Sequence, residues 1–316
     1  MKVVLTLIVR DEADIVDAQL SYHLNAGIDF VIAVDHGSGD GTTEILESYA
    51  RQGLLRRIPA EGPVLELEWR TDMARRAATD HGADWVVAAD ADEFWIPREG
   101  TLREVLEAVP DAYGTAGGVI CHFVPRPDDG APFAERMTVR LRPEAPVNDP
   151  TSPWRPSPKL AFRAAADVFV LHAGYAVLSP SIVPLPGWCP FDVLHFPCRS
   201  VAQWANKTAR RGHAEADKPL GQYVKGLRAQ HGGLIEDVYG SLVVDDEELA
   251  RGLAHGTLVV DTRLRAALRG ERPVASPGPP VDASGLYEAT VVRLQRRVDD
   301  ARVRVNRLER KARLRR

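Results

Sequence analysis

The sequence predicts an α/β protein: a mostly parallel sheet flanked by helices, followed by a separate basic helix. Three observations predict it. Short apolar, β-rich runs alternate with helical stripes through the first hundred residues, which is the signature of strands joined by crossover helices. Those runs are continuous rather than alternating, as in strands buried on both faces. The last 26 residues carry 11 Lys/Arg against 3 Asp/Glu, a net of +8, while residues 1–290 carry 29 basic and 41 acidic residues, a net of −12. The whole-chain charge of −4 therefore describes neither part.

In order, Val3–Val9 reads as the first strand. Val16, Leu20 and Leu24 recur at spacing four as a helical stripe that Gly27 stops. Phe30–Val34 is the second strand, Thr42–Ala50 a helix and Leu54–Ile58 a short third strand. Asp72–His81, rich in Ala and Arg, is a helix, and Trp85–Ala89 a buried strand. Thr101–Val109 is a helix and Gly117–Val124 a strand. Arg142–Pro158 holds six prolines, so it is a long loop, either of the kind used as an active-site lid or a disordered excursion. Leu160–Phe162 and Val168–Leu171 are expected to pair as strands. Val201–Arg211 is an amphipathic helix, and Asp245–Arg269 reads as helical.

This divides the chain into a domain over 1–270, a Pro/Gly linker over 271–285 and a tail over 286–316. Within the domain, 1–125 is expected to bind the nucleotide side, and 126–270 to supply the acceptor side and closing helices. The tail repeats Val291, Leu294, Val298, Ala301, Val305, Leu308 and Ala312 at spacings of three and four. That is a heptad suited to self-association, and its charge suits an anionic membrane surface. No Trp, Phe or Tyr follows Tyr287 for base stacking, so nucleic acid is not expected as a partner. Three cysteines with no Cys-x-x-Cys, and no apolar run near 18 residues, predict a soluble cytoplasmic protein, peripheral at the inner membrane face if the tail engages lipid.

Ligands in parallel sheets bind beyond the carboxyl ends of the strands, and the chemistry-bearing residues lie there. Asp84–Trp95 ends a buried strand in Asp90, Ala91, Asp92 and Glu93. Carboxylates at i and i+2 point the same way from extended backbone, and they repel unless a cation lies between them. Mn²⁺ or Mg²⁺, completed by substrate phosphates, is the expected occupant. The plain alternative is a polar turn with solvated acids. Ala33–Thr42 makes a glycine-rich turn whose N–H groups can face an anion or a base edge. It is not the dinucleotide fingerprint, because Thr42 stands where the third glycine belongs, and no Gly-Lys-Ser/Thr follows for a P-loop. Asp40 is expected to cap the next helix. In Val193–Gly212, His195 ends an apolar run, and Arg199, Lys207 and Arg210 fall on one helical face opposite Val201, Trp204 and Thr208. A cationic face beside a histidine suits a diphosphate. A solvated basic face with a core histidine is the alternative. Cys198 beside His195 makes no zinc site without a second pair.

With these residues in view, the stretch LIVRDEADIVDAQLSYHLNAGIDFVIAVDHGSGDGTTEIL resembles the opening of family 2-type glycosyltransferases. It is closest to their family 92-like branch, which pairs an Asp-x-Asp-Glu-Phe motif with Tyr-His in the first helix. Here these are Asp90, Asp92, Glu93 and Phe94, and Tyr22 and His23. The branch's downstream His, Lys/Arg-Ser, Lys and Arg-Gly match His195, Arg199, Ser200, Lys207, Arg211 and Gly212. The resemblance covers residues 3–215 in patches. It implies a GT-A fold, Rossmann-like, and a nucleotide-diphosphate sugar donor. Asp92, Asp90 and His195 would hold the metal, with Asp90 also near the ribose. Arg199 and Lys207 would neutralise phosphate, and Arg10, Asp11, Glu12, Asp35, His36 and Ser38 would border the nucleotide. His36 stands where many relatives have a second Asp for uracil, which leaves the base open. An inverting transfer to a glycan, lipid-linked or small-molecule hydroxyl needs a carboxylate base, for which Asp192, Asp167 and Glu93 are candidates, and His172 would line the acceptor side. A nucleotidyl- or phosphotransferase on a similar sheet, and a non-enzymatic assembly protein using the tail, are the competing readings.

Overall fold

The computed structural model describes residues 1–142, 158–171, 174, 176–185, 187–214 and 231–271, without the side chains of 158 and 210–214. The proline-rich segment 143–157, His172, the side chains of Arg210 and Arg211, the linker beyond 271 and the heptad tail lie outside the described residues.

The expected parallel sheet is present, with helices on both faces. Strands β1 (Val3–Val9), β2 (Phe30–Asp35), β3 (Leu55–Pro59) and β4 (Trp85–Asp90) alternate with helices α1 (Val16–Asn25), α2 (Thr42–Arg51) and α3 (Glu66–Thr79). Then come β5 (Glu93–Pro97), α4 (Leu102–Glu107), β6 (Thr115–His122), α5 (Phe133–Arg136) and β7 (Val139–Leu141). They are followed by β8 (Pro158–Arg163), β9 (Phe169–Leu171), β10 (Ala176–Leu178), β11 (Phe191–His195) and α6 (Val201–Ala214). The described chain closes with α7 (Ile235–Gly240), α8 (Asp246–Ala254), β12 (Leu258–Val260) and α9 (Arg263–Leu268).

Eight strands form one sheet in the order β3-β2-β1-β4-β8-β6-β11-β5. All pairs are parallel except β4 with β8, β6 with β8, and β11 with β5, so six strands run one way and β5 and β8 oppose them. Val3, Leu5, Leu7 and Val9 project into one core with α1, α2 and α4, whereas Val4, Ile32 and Val34 join Met73, Ala74 and Ala77 of α3 on the other face. Burying each such side chain contributes about 1.5–3 kcal/mol as an upper bound. That explains why the runs carry no polar alternation. Thr101 and Glu104 cap α4 reciprocally, and Asp245 and Glu248 do the same for α8.

The structure departs from the sequence reading in three places. β8 and β9 do not pair with each other: β8 inserts between β4 and β6, and β9 pairs with β10. Residues 245–269 are two short helices separated by β12, because the chain turns at Gly256 (φ 71°) and pairs with β7. β5, which carries Glu93 to Pro97, was not anticipated. In the sheet, β8 and β11 lie among strands formed by residues 1–125.

Candidate active site

The registers bring Val9, Asp35 and Asp90 to one edge of the sheet, with His122 and His195 side by side further along it. The crevice at these carboxyl ends is built by the β1–α1 loop, the β2–α2 turn, the β4–β5 turn, the end of β11 and the start of α6.

At one end of the crevice, the first two loops are laced together. Asp11 has a left-handed backbone (φ 49°), unusual for a residue other than glycine. That turn aims its N–H at Ser38 Oγ (3.1 Å) and its Oδ1 at the Gly39 N–H (2.7 Å). The N-cap position of α2 is Gly41 rather than the expected Asp40, which instead accepts the Thr42 N–H and the Ala13 N–H from just before the helix. Asp35 is turned inward: it accepts the Ser38 N–H (3.1 Å), the Thr43 hydroxyl (2.6 Å) and Arg57 Nη1 (3.1 Å). Burial alone would raise its pKa, but these partners outweigh that and lower it. Asp35 therefore builds the turn. His36 Nε2 lies 2.9 Å from the Gly62 carbonyl and its Nδ1 lies 3.3 Å from Arg10 Nη1, which fits an Nε2–H tautomer. Its ring centroid is 5.0 Å from that of the half-buried Trp69.

The acidic motif is arranged differently from the expectation. β4 ends at Asp90, Ala91 and Asp92 make a turn, and β5 begins at Glu93. The backbone is not extended there, so the i, i+2 carboxylates are drawn to different cations. Asp90 meets Arg70 of α3 and Lys159 Nζ of β8 (3.0 Å). Glu93 meets the same ammonium at 2.6 Å and accepts the Asp90 N–H. Burial raises the pKa of Glu93, against the pull of Lys159. Asp92 Oδ2 instead receives Lys207 Nζ of α6 at 2.5 Å and lies 3.5 Å from His195 Nε2. Burial works against ionisation of Asp92, yet Lys207 and His195 hold its carboxyl well below the usual range. His195 Nδ1 in turn lies 2.8 Å from His122 Nδ1, so one of the two rings must donate and the other accept.

Arg199, expected to face phosphate, is 1% exposed and tied to Glu12, to Asp14 (2.7 and 2.8 Å) and to the Phe196 carbonyl (2.9 Å). It clamps the β1–α1 loop to the segment leaving β11. Burial raises the pKa of Glu12, with Arg199 opposing. Tyr22 and His23 also act from behind the site: Tyr22 Oη donates to the Trp95 carbonyl (3.0 Å), and His23 Nε2 accepts the Trp95 N–H (3.2 Å). They hold β5, and with it the acidic turn, against α1.

Residues 8–118 match the sequence profile of glycosyltransferase family 92. The match runs from β1 into β6 and contains the acidic motif, so this segment is of glycosyltransferase type. No curated protein matches the chain. Among solved structures, S. aureus TarS 1–349 in complex with UDP is similar at 13% identity and a TM-score of 0.35, over 89% of this chain and 98% of that one. For S. aureus TarS itself the values are 14% and 0.33, over 72% and 44%, so this chain spans less than half that protein's length. Glucosyl-3-phosphoglycerate synthase from Mycobacterium tuberculosis in complex with phosphoglyceric acid is similar at 16% and 0.26, over 42% and 46%. At TM-scores this low the overlaps carry no argument about the site.

Two of the expected base candidates stand elsewhere. Asp192 is buried and bound by Arg98 Nε (2.9 Å) and Arg263 Nη1 (2.8 Å), three residues before the end of β11. Asp167 is exposed and binds Ser179 (2.6 Å) and Ser181 (3.2 Å). It follows the end of β8 that pairs with Trp85, so it lies past the amino ends of the parallel strands. Only Glu93 of the three is at the crevice. The described residues also do not fit a protein-held divalent ion. No group of three or more His, Cys, Asp or Glu among them is placed to hold a metal, and side-chain cations already sit on Asp90, Asp92 and Glu93. Sequence reasoning missed Arg70, Lys159 and His122. Only Lys159 left a trace, as a lone cation at the start of an apolar run.

Proposed function

We propose that the chain transfers a glycosyl group from a nucleotide-diphosphate sugar to an acceptor hydroxyl. The observation that carries this reading is the crevice at the strands' carboxyl ends. It pairs a β2–α2 turn laced by Asp11, Asp35 and Asp40 with a Lys207–Asp92–His195 cluster, within or beside a segment of glycosyltransferase type. In this reading the base packs near the His36 and Trp69 rings, and the diphosphate lies toward Lys207 and His195. The acceptor oxygen attacks the anomeric carbon, the bond to the diphosphate breaks, and the bonding pair leaves with the diphosphate. The cation beside the leaving oxygens stabilises the charge that builds there. Attack from the opposite face inverts the anomeric centre, and a base takes the acceptor's proton. The reaction is written without a divalent ion, because the carboxylates expected to hold one are engaged by Lys207, Arg70 and Lys159.

The test is incubation of the full chain with a panel of UDP-, GDP- and dTDP-sugars and mixed glycan, lipid-linked and small alcohol acceptors, read by mass spectrometry. Release of a nucleoside diphosphate with a glycosylated acceptor supports the reading, and the anomeric proton coupling of the product reports inversion. Release of pyrophosphate or a nucleoside monophosphate would identify a nucleotidyl- or phosphotransferase instead. No nucleotide binding and no turnover would leave the assembly-protein reading.

A further inference from the structure

We infer that Lys207, rather than a protein-held divalent ion, is the cation that receives the donor's diphosphate, with Asp92 as its positioning residue. The inference rests on the donor reading above.

Mg²⁺ needs oxygen ligands at about 2.0–2.1 Å, commonly one or two carboxylates with the substrate's phosphates. Here Asp92 Oδ2 is already engaged: Lys207 Nζ lies 2.5 Å from it, and His195 Nε2 approaches the same oxygen at 3.5 Å. A divalent ion on that oxygen would have to displace an ammonium held in a site where Asp92 is only 3% exposed. The second carboxylate, Asp90, is turned toward Arg70 and Lys159, which are 1% and 0% exposed. These two cations are built into the core beneath the turn. Lys207 is also carried by a packed element: on the same helix, Trp204 is 4% and Thr208 0% exposed, and Trp204 packs with Cys198 and Tyr239. Lys207 itself is partly exposed toward the crevice, as is His195. Lysine binds phosphate as a point charge with three rotatable donors, so one ammonium can bridge a carboxylate and a phosphate oxygen. Asp92 then holds the ammonium at the place where charge develops on the leaving diphosphate.

The experiment is calorimetric titration of the full chain with UDP, GDP and dTDP, in EDTA and again in Mn²⁺, with electron paramagnetic resonance of Mn²⁺ and protein alone. The expected result is a nucleoside diphosphate that binds in EDTA within about threefold of its affinity in Mn²⁺, and no protein-bound Mn²⁺ signal. Lys207→Met should lose tenfold or more in both media, and Lys207→Arg should restore most of that. Asp92→Asn should weaken binding by the same factor in both media. Binding that appears only with Mn²⁺, or an Asp92→Asn variant that loses only a Mn²⁺-dependent increment, would overturn the inference and leave the donor reading standing. No binding of any of the three at millimolar concentration in either medium would overturn both. The comparison in EDTA uses the native protein, so it does not depend on any variant folding.

Discussion

Replacing Arg199 with Met removes a guanidinium that ties two catalytic-edge loops together. The side chain is 1% exposed and serves Glu12, Asp14 and the Phe196 carbonyl. Asp14 is 44% exposed, so solvent screens that pair and it contributes little. Glu12 is 13% exposed, and its pKa is already raised by burial against the pull of Arg199. Without Arg199 only the weaker pull of Lys207 is left on this buried carboxylate, and breaking such a pair costs about 3–5 kcal/mol. For a domain of this size that corresponds to a fall of about 10 °C in Tm. The sign of the pH dependence follows from the raised pKa. A carboxyl whose folded pKa lies above its unfolded value stabilises the fold below the unfolded value, and that contribution is lost as pH rises through the folded one. Arg199→Met should therefore be most destabilising near pH 7 and less so as pH falls toward the carboxylate range. Urea unfolding at pH 7 and pH 5, with Arg199→Met/Glu12→Gln as the second arm, measures this. The double variant should recover at least 1 kcal/mol, as contacting residues commonly couple by about 0.5–3 kcal/mol. A loss under 1 kcal/mol at pH 7, or no relief from either acid or Glu12→Gln, would refute the clamp.

Lys159→Met should destabilise by a similar amount, about 3–5 kcal/mol, because it leaves Asp90 and Glu93 facing each other without the shared ammonium; equilibrium unfolding checks it. His23 is buried and neutral, its pKa lowered to about 4 by burial, with Nδ1 on the Gln19 carbonyl (2.8 Å). Its contribution, about 3 kcal/mol, is complete above the unfolded pKa near 6.5 and is lost as pH falls from there toward 4. A pH series of unfolding free energies should show that loss, and His23→Phe should flatten it. Gly118→Ala should cost about 1–3 kcal/mol, since the new Cβ would lie 2.6 Å from Val193 Cγ2 and 3.0 Å from Trp95 Cζ3; a melting curve unchanged within error would contradict the packing.

Much of the frame was legible because it obeys local rules. β1, β2 and β4 are buried on both faces, so their residues are continuously apolar, and each run ends where a polar loop turns over the sheet edge. That is why Asp35, Asp90 and Asp92 could be placed at the crevice from sequence. The failures share a cause, which is partners distant along the chain. Lys159 reaches Asp90 across 69 positions, from a strand that inserts between two others. Asp192 is engaged by Arg263, 71 residues on, so its position before His195 says nothing about its chemistry. Arg199 sits beside a helix with a cationic face, yet its partners on the β1–α1 loop lie 185 and 187 residues earlier. Asp90 and Asp92 failed for a local reason: an extended backbone was assumed, and the chain turns between them.

The placement of the donor at the strands' carboxyl edge is tested most directly by photolabelling. Azido-substituted UDP, GDP and dTDP are cross-linked to the full chain, and the labelled peptides are mapped with unlabelled nucleotide as competitor. The label is expected within residues 35–41 or 60–70, on the turn and helix that carry His36 and Trp69, and to be competed away. Competed label near Asp167 or within the 286–316 tail, or no competed label at all, would contradict the account.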